Sequence, residues 1–224
     1  MSTEAIVVMK ILSIINMLSF IVFSGVKSWA QVAPPSAKVM NVQIDGSGCD
    51  AGSANAVITD DLNFLSVLYD RYTAEIGQGT AQPKAKAAEK HCNIIVDINV
   101  PQGWTLSFDQ IDYRGFVQVP NKAAAAYQIT TADIEGGASA GFDQQIFQGP
   151  KTENFTISVK NKIPKVLSTL SCQSNSQNIR VRIKNTIGVR NLLAGFLRPT
   201  VKIVVDSTDA SFKQNLKINW KRCM

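Results

Sequence analysis

Histidine is almost absent from this chain of 224 residues: His91 is the only one. Any Ser–His–Asp or Cys–His chemistry would therefore have to pass through it, yet it stands beside Cys92, a position that reads as structural. No G-x-S-x-G nucleophile elbow, H-E-x-x-H metal helix or glycine-rich phosphate loop occurs. No two cysteines have C-x-x-C spacing, which removes the common zinc and dithiol patterns. Heptads, repeats of fixed period and a long amphipathic helix are also missing. The one long apolar run, Ile11 to Val26, is broken by Ser13, Asn16, Ser19, Ser24 and Gly25, too often for a permanent membrane span. Lys10 before it and Ser28-Trp29-Ala30 after it make residues 1–30 a secretory signal peptide, cut after Ala30. The expected destination is the extracellular space, or the periplasm or cell envelope in a bacterium.

Removing the first 30 of 224 residues leaves 194, enough for one domain with a substantial core. Gln31 to Lys38, with Pro34-Pro35, reads as a flexible lead-in, and residues 39–224 as a single domain. Charge is unevenly placed along it. From Gln31 to Pro150 there are 7 Lys and Arg against 13 Asp and Glu, and from Lys151 to Met224 there are 14 against 3. A net of −6 is thus followed by a net of +11, an asymmetry that speaks to partners and solubility rather than to fold.

What is abundant is period-two alternation. Cys92, Ile94, Val96, Ile98 and Val100 share one parity, and Asn93, Asp97 and Asn99 the other, the mark of a half-buried strand. After a turn at Pro101-Gln102-Gly103, Trp104, Leu106 and Phe108 face one way. Beyond Gln110 the apolar set moves to Ile111, Tyr113, Val117 and Val119, and such a slip within one strand predicts a β-bulge. Met40 to Ile44, Tyr127 to Thr131, Phe155 to Val159, Ile179 to Ile183, Val201 to Val205 and Leu216 to Trp220 alternate in the same way. Ala56 to Thr59 and Leu62 to Tyr69 read as a hairpin about Asp60-Asp61. Gly77 to Lys90 and Glu135 to Gly141 are expected to be loops. The fold class is all-β, an antiparallel sandwich of jelly-roll or Ig-like architecture.

In an exported chain, Cys49, Cys92, Cys172 and Cys223 are read as disulfides, and four cysteines allow three pairings. Cys49–Cys92 with Cys172–Cys223 is favoured, one bridge in each part of the chain. No cofactor and no metal site is expected.

Taken together, SGC (Ser47 to Cys49), VLYDRYTAEIG (Val67 to Gly77), HCN (His91 to Asn93), PQGWTLSFDQIDYRG (Pro101 to Gly115), Ser171-Cys172 and WKRC (Trp220 to Cys223) resemble the secreted domain-of-unknown-function family numbered 4360. The likeness covers essentially the whole mature chain, departing from the family's glycine-containing pattern at Val119 to Tyr127. It implies a small exported protein with a disulfide framework on those four cysteines, and it brings no activity.

Three function classes remain. The leading one is a non-catalytic secreted or envelope module that binds an anionic surface polysaccharide or other glycan through basic residues. Arg180, Arg182 and Lys184 occupy the outward parity of one strand, and Lys160, Lys202, Lys217 and Lys221 that of other segments. If these strands share a sheet, its outer face is strongly positive, against the plainer reading of a solvated face with lysines guarding edges. Nucleic acid is disfavoured because exposed aromatics do not interleave with the charges. The second class is a secreted hydrolase using Asp109 or Asp112 for acid–base chemistry, against the plainer reading of a bulge residue and an Asp112–Arg114 ion pair. The third is a structural or toxin-like protein acting by protein contacts, for which Leu192 to Leu197 would be an exposed patch rather than a cover for the core. Calcium at Asp45-Gly46-Ser47-Gly48 or Asp60-Asp61 is outweighed by ordinary turns.

Overall fold

Alternating side chains can bury one face only by laying strands against a second layer, and the described residues do this with twelve strands. The computed structural model describes residues 33–70, 72–135, 141–160, 177–193, 198–205 and 213–223. The expected signal peptide and Cys172 lie outside those residues. In order the strands are β1 (Lys38–Asp45), β2 (Ala54–Ile58), β3 (Phe64–Tyr69), β4 (Thr73–Ile76), β5 (Ala87–Val100) and β6 (Trp104–Val119). Then come β7 (Ala124–Ile134), β8 (Gly141–Gln148), β9 (Lys151–Lys160), β10 (Gln177–Asn191), β11 (Val201–Val204) and β12 (Lys213–Arg222).

One sheet has the order β1-β5-β10-β7-β8; the other runs β2-β3-β12-β6-β11-β4, with β9 added on β6. Every pairing is antiparallel. The sixteen-residue β6 carries three partners: β9 along Gln110 to Val119, β12 along Trp104 to Tyr113 and β11 along Phe116 to Gln118. The inward residues of both sheets form one apolar cluster, including Ile94, Val96 and Ile98 of β5, Val181 and Ile183 of β10, Leu106 and Ile111 of β6, and Leu216 and Ile218 of β12. The all-β antiparallel sandwich expected from the alternation is the fold observed.

The bulge falls where the parity slips. Lys217 pairs with Gln110 and Ile218 with Phe108, so Asp109 is the extra residue that re-aims the rest of β6. The β2–β3 hairpin also forms as read, closed by Asp61, whose carboxylate accepts from the Thr59 hydroxyl at 2.5 Å and from the Asn63 amides at 2.7 and 3.0 Å. Cys49 and Cys92 are bridged, with Cα atoms 5.4 Å apart. Closing a loop of sequence separation 43 restricts the unfolded chain by about 4 kcal/mol in the chain-entropy account. Cys223 is also disulfide-bonded.

Some readings change. The loop after β4 ends at Lys86, because β5 begins at Ala87 rather than after Lys90. Strands β4 and β8 were not legible, being short or polar. Ala33 and Ala37 pack against the core and Pro34 is buried, so the lead-in is docked from Ala33 onward. Leu192 and Leu193 project into solvent instead of covering the core; the rest of that segment, 194–197, lies outside the described residues. The parity of β7 is opposite to the one read: Ala124, Ala126, Gln128, Thr130, Ala132 and Ile134 are buried, while Tyr127, Ile129 and Thr131 point outward.

That inversion follows from a polar centre between the sheets. Asn185 of β10 is fully buried. Its side-chain carbonyl accepts from Gln128 Nε2 at 3.4 Å and Thr130 Oγ1 at 3.2 Å, and its Nδ2 donates to Tyr69 Oη and Gln214 Oε1, each at 3.4 Å. The Tyr69 hydroxyl donates to Gln214 Oε1 at 2.9 Å, and that of Tyr72 to the Asn185 backbone carbonyl at 2.6 Å. Burial pushes the Tyr69 and Tyr72 phenols well above their ordinary range. Buried amides are tolerated when bonded to one another, so the polar parity of β7 turns inward to meet them.

Candidate functional site

Outward residues of the five-stranded sheet fall into rows across β5, β10, β7 and β8. One row is Ile95, Arg182 and Asp133; the next is Asn93, Lys184, Thr131 and Phe142. His91, Thr186, Ile129 and Gln144 follow, then Glu89, Gly188, Tyr127 and Ile146. Two clefts open on this face. One, of about 360 Å³, includes Asp45, Asn93, Thr131, Asp133 and Lys184 in its lining. The other, of about 270 Å³, is lined by Glu89, Tyr127, Gln144, Ile146 and Arg190 among others.

The ends of the face differ. At one end Arg180 donates from Nε to Asp97 Oδ1 at 2.8 Å and from Nη2 to Oδ2 at 3.3 Å, and its Nε lies 3.9 Å from Glu135. Arg182 lies 3.5 Å from Asp133 and 3.4 Å from Glu135. The hydrogen bond from Arg180 holds the Asp97 carboxyl below the usual carboxylate range, assisted by Asn41. At the other end the Tyr127 hydroxyl donates to Glu89 Oε2 at 2.5 Å. Partial burial, together with that bond to Glu89, pushes its phenol up to about 12. The ring lies across Gly188: a Cβ there would stand 2.2 Å from Tyr127 Cζ.

The expected basic stripe is divided. Arg180, Arg182 and Lys184 share the outer side of β10, but Lys160, Lys202, Lys217 and Lys221 belong to β9, β11 and β12 of the other sheet. They cannot make one surface, because the chain alternates between layers. Of the four β10 cations, Arg180 and Arg182 face carboxylates of β5, β7 and the turn after β7, and Lys202 pairs with Glu75 at 3.4 Å.

The candidate acids are placed on the seven-stranded sheet. Asp109 is the bulge residue, half-buried, with Oδ1 lacking a hydrogen-bond partner. Asp112 Oδ1 accepts from Gln110 Nε2 at 2.7 Å and from the Ser158 hydroxyl at 2.6 Å, so it is held by neutral neighbours rather than by Arg114. His91 is exposed, its Nδ1 3.3 Å from Ser47 Oγ. Asp45, considered for calcium, accepts from Asn93 Nδ2 at 2.6 Å. Glu89, Tyr127, Gly188 and Arg190 were missed as a group. The available signal was a tyrosine three residues beyond the start of a strand, but its direction depends on the unseen interior of β7.

Fold and surface together define a disulfide-stapled all-β module with an open sheet face. The chain belongs to the domain of unknown function family DUF4360, whose profile matches residues 35–223. A relative in Arthroderma benhamiae, described as an uncharacterized secreted protein, is 27% identical over 192 residues, covering 85% of this chain and 73% of its own length. Secretion is the localisation that this relationship supports, and no described helix is long and apolar enough to cross a membrane. Two solved Clostridium thermocellum structures show a faint likeness. One is the CBM22-1–GH10 portion of endo-1,4-β-D-xylanase 10B with xylohexaose: TM-score 0.20, 9% identity, 63% of this chain and 26% of that one. The other is a family 11 carbohydrate-binding module with a β-1,3-1,4-mixed-linked tetrasaccharide: TM-score 0.21, 12% identity, 75% of this chain and 95% of that one. At TM-scores this low, neither likeness bears on fold or ligand.

Proposed function

We propose that the protein is a secreted, non-catalytic module that binds an extracellular glycan on the outer face of its five-stranded sheet. The observation that carries this reading is the face itself. Its rows present amides, hydroxyls and charged groups at strand spacing, and two open clefts lie among them. Polar side chains on a rigid sheet are pre-organised to bond hydroxyl-rich ligands without a large ordering cost. The salt-bridged state of Arg180 and Arg182 shifts the emphasis from net positive charge to hydrogen bonding. Lys184, beside Asn93 and Thr131 in the larger cleft, and Arg190, in the smaller, are the β10 cations best placed to meet a ligand.

The test is binding of the secreted protein to immobilised neutral glycans and to anionic polymers at low and moderate salt. Binding to a neutral glycan that survives moderate salt supports the reading. Binding confined to anionic polymers and lost with salt would restore the electrostatic version, and no binding to any member would end the glycan reading. Cleavage after Ala30 is tested separately: amino-terminal sequencing of the secreted form should begin at Gln31, and a secreted form that begins at Met1 would refute the cleaved signal peptide.

A further inference from the structure

We infer that the cleft at the Tyr127 end of this face is a subsite for one uncharged pyranose ring, seated on the phenol ring of Tyr127. The inference rests on the glycan-binding reading and gives it a place and a ligand class.

The cleft of about 270 Å³ has a volume suited to a sugar unit rather than to a folded partner. The position of the Tyr127 ring is set by Gly188. Any larger residue there would collide with the Tyr127 ring, since an added Cβ comes within 2.2 to 2.6 Å of Cζ, Oη and Cε1. The missing side chain lets the ring lie down against β10 instead of standing off the sheet. The ring is then pinned by its hydrogen bond to Glu89. A flat, immobilised aromatic with a polar tip offers apolar contact at small entropic cost.

Around it stand groups that fit hydroxyls. Gln144 brings both donors and acceptors, Arg190 brings donors, and the second carboxylate oxygen of Glu89 brings an acceptor. Ile146, 60% exposed on the edge strand β8, stands directly across from Tyr127 in register. An isolated exposed isoleucine needs no explanation; beside a pinned aromatic it forms the second apolar wall of the cleft. The single acid, Glu89, and the single base, Arg190, balance in sign, so nothing here selects a charged sugar. The site is therefore chemically distinct from the ion-paired end of the same sheet.

The experiment is titration of the secreted protein with neutral hexasaccharides of glucose, xylose and mannose, and with a polygalacturonate, followed by calorimetry and by the ring resonances of Tyr127. A neutral hexasaccharide should bind and perturb those resonances. Tyr127→Ala should weaken it at least tenfold, Tyr127→Phe should keep most of the affinity, and Lys202→Ala, on the other sheet, should change it less than twofold. Circular dichroism and melting of each variant separate lost binding from lost folding. Neutral-glycan binding undiminished in Tyr127→Ala overturns this subsite while leaving the proposed function standing. Binding of polygalacturonate alone overturns the uncharged ligand class, and failure of every glycan to bind overturns both readings.

Discussion

The two ends of one sheet face treat their charges in opposite ways. At the Asp97 end, Arg180 and Arg182 are consumed by Asp97, Asp133 and Glu135. At the Tyr127 end, a glutamate fixes an aromatic ring, and the cleft stays open. Both ends are built from the same three strands, β5, β10 and β7. The acidic first part of the chain supplies β5 and β7, and the basic second part supplies β10 between them. A charge asymmetry that suggests an external polymer is thus answered in part inside the molecule. Charge counted along a sequence is not charge available to a ligand.

The sharpest way to break the contrast is Gly188→Val. It drives side-chain atoms into the Tyr127 ring, so overpacking should cost about 1–3 kcal/mol in urea unfolding and abolish binding at the cleft. Next in size, Tyr127→Ala should reduce neutral-glycan affinity at least tenfold, about 1.4 kcal/mol, while leaving the urea midpoint nearly unchanged. Smaller and of another kind is Asp97→Asn. The folded-state pKa of Asp97 is depressed by Arg180, so its stabilisation is present above the unfolded value of about 3.9 and is lost as pH falls through the folded value. The variant should melt below the native protein at pH 7, with the gap closing below about pH 4, and its glycan binding should stay native. Smallest of all, Arg182→Ala should lower the melting temperature only slightly, since exposed ion pairs contribute little to stability. A large drop there would contradict that weak contribution.

How far the sequence could be read follows from the same physics. The bulge at Asp109 was visible because a period-two pattern shows its own phase error, Phe108 giving way to Ile111. The strands β5, β10 and β12 were visible because most of their inward residues are apolar. In β7 the rule misleads. There the inward set is alanine, glutamine and threonine with Ile134 at its end, while Tyr127 and Ile129 face out. Parity identified the strand but assigned the wrong side, and the Tyr127 cleft was lost with it. Likewise, Arg180 and Arg182 were recognised as outward, but their acidic partners lie 83 and 49 residues away in sequence, where no local pattern reaches. Strand β8 was hidden because an edge strand rich in glutamine alternates weakly.

Asn185 has a consequence beyond its hydrogen bonds. A slip of β10 by one residue would turn every side chain over and is forbidden by hydrophobicity alone. A slip by two would keep the aliphatic residues inside, and nothing in a purely greasy strand would resist it strongly. Such a slip moves Asn185 by about 6.8 Å, out of its place between Thr130, Tyr69 and Gln214, and sets it opposite Ala132 in one direction or Gln128 in the other. The central amide therefore works as an alignment key, telling β10 which of several nearly equivalent pairings is correct. Asn185→Val should reveal this as heterogeneity: doubled or broadened amide resonances along β10 and β7, and not merely a lower melting point.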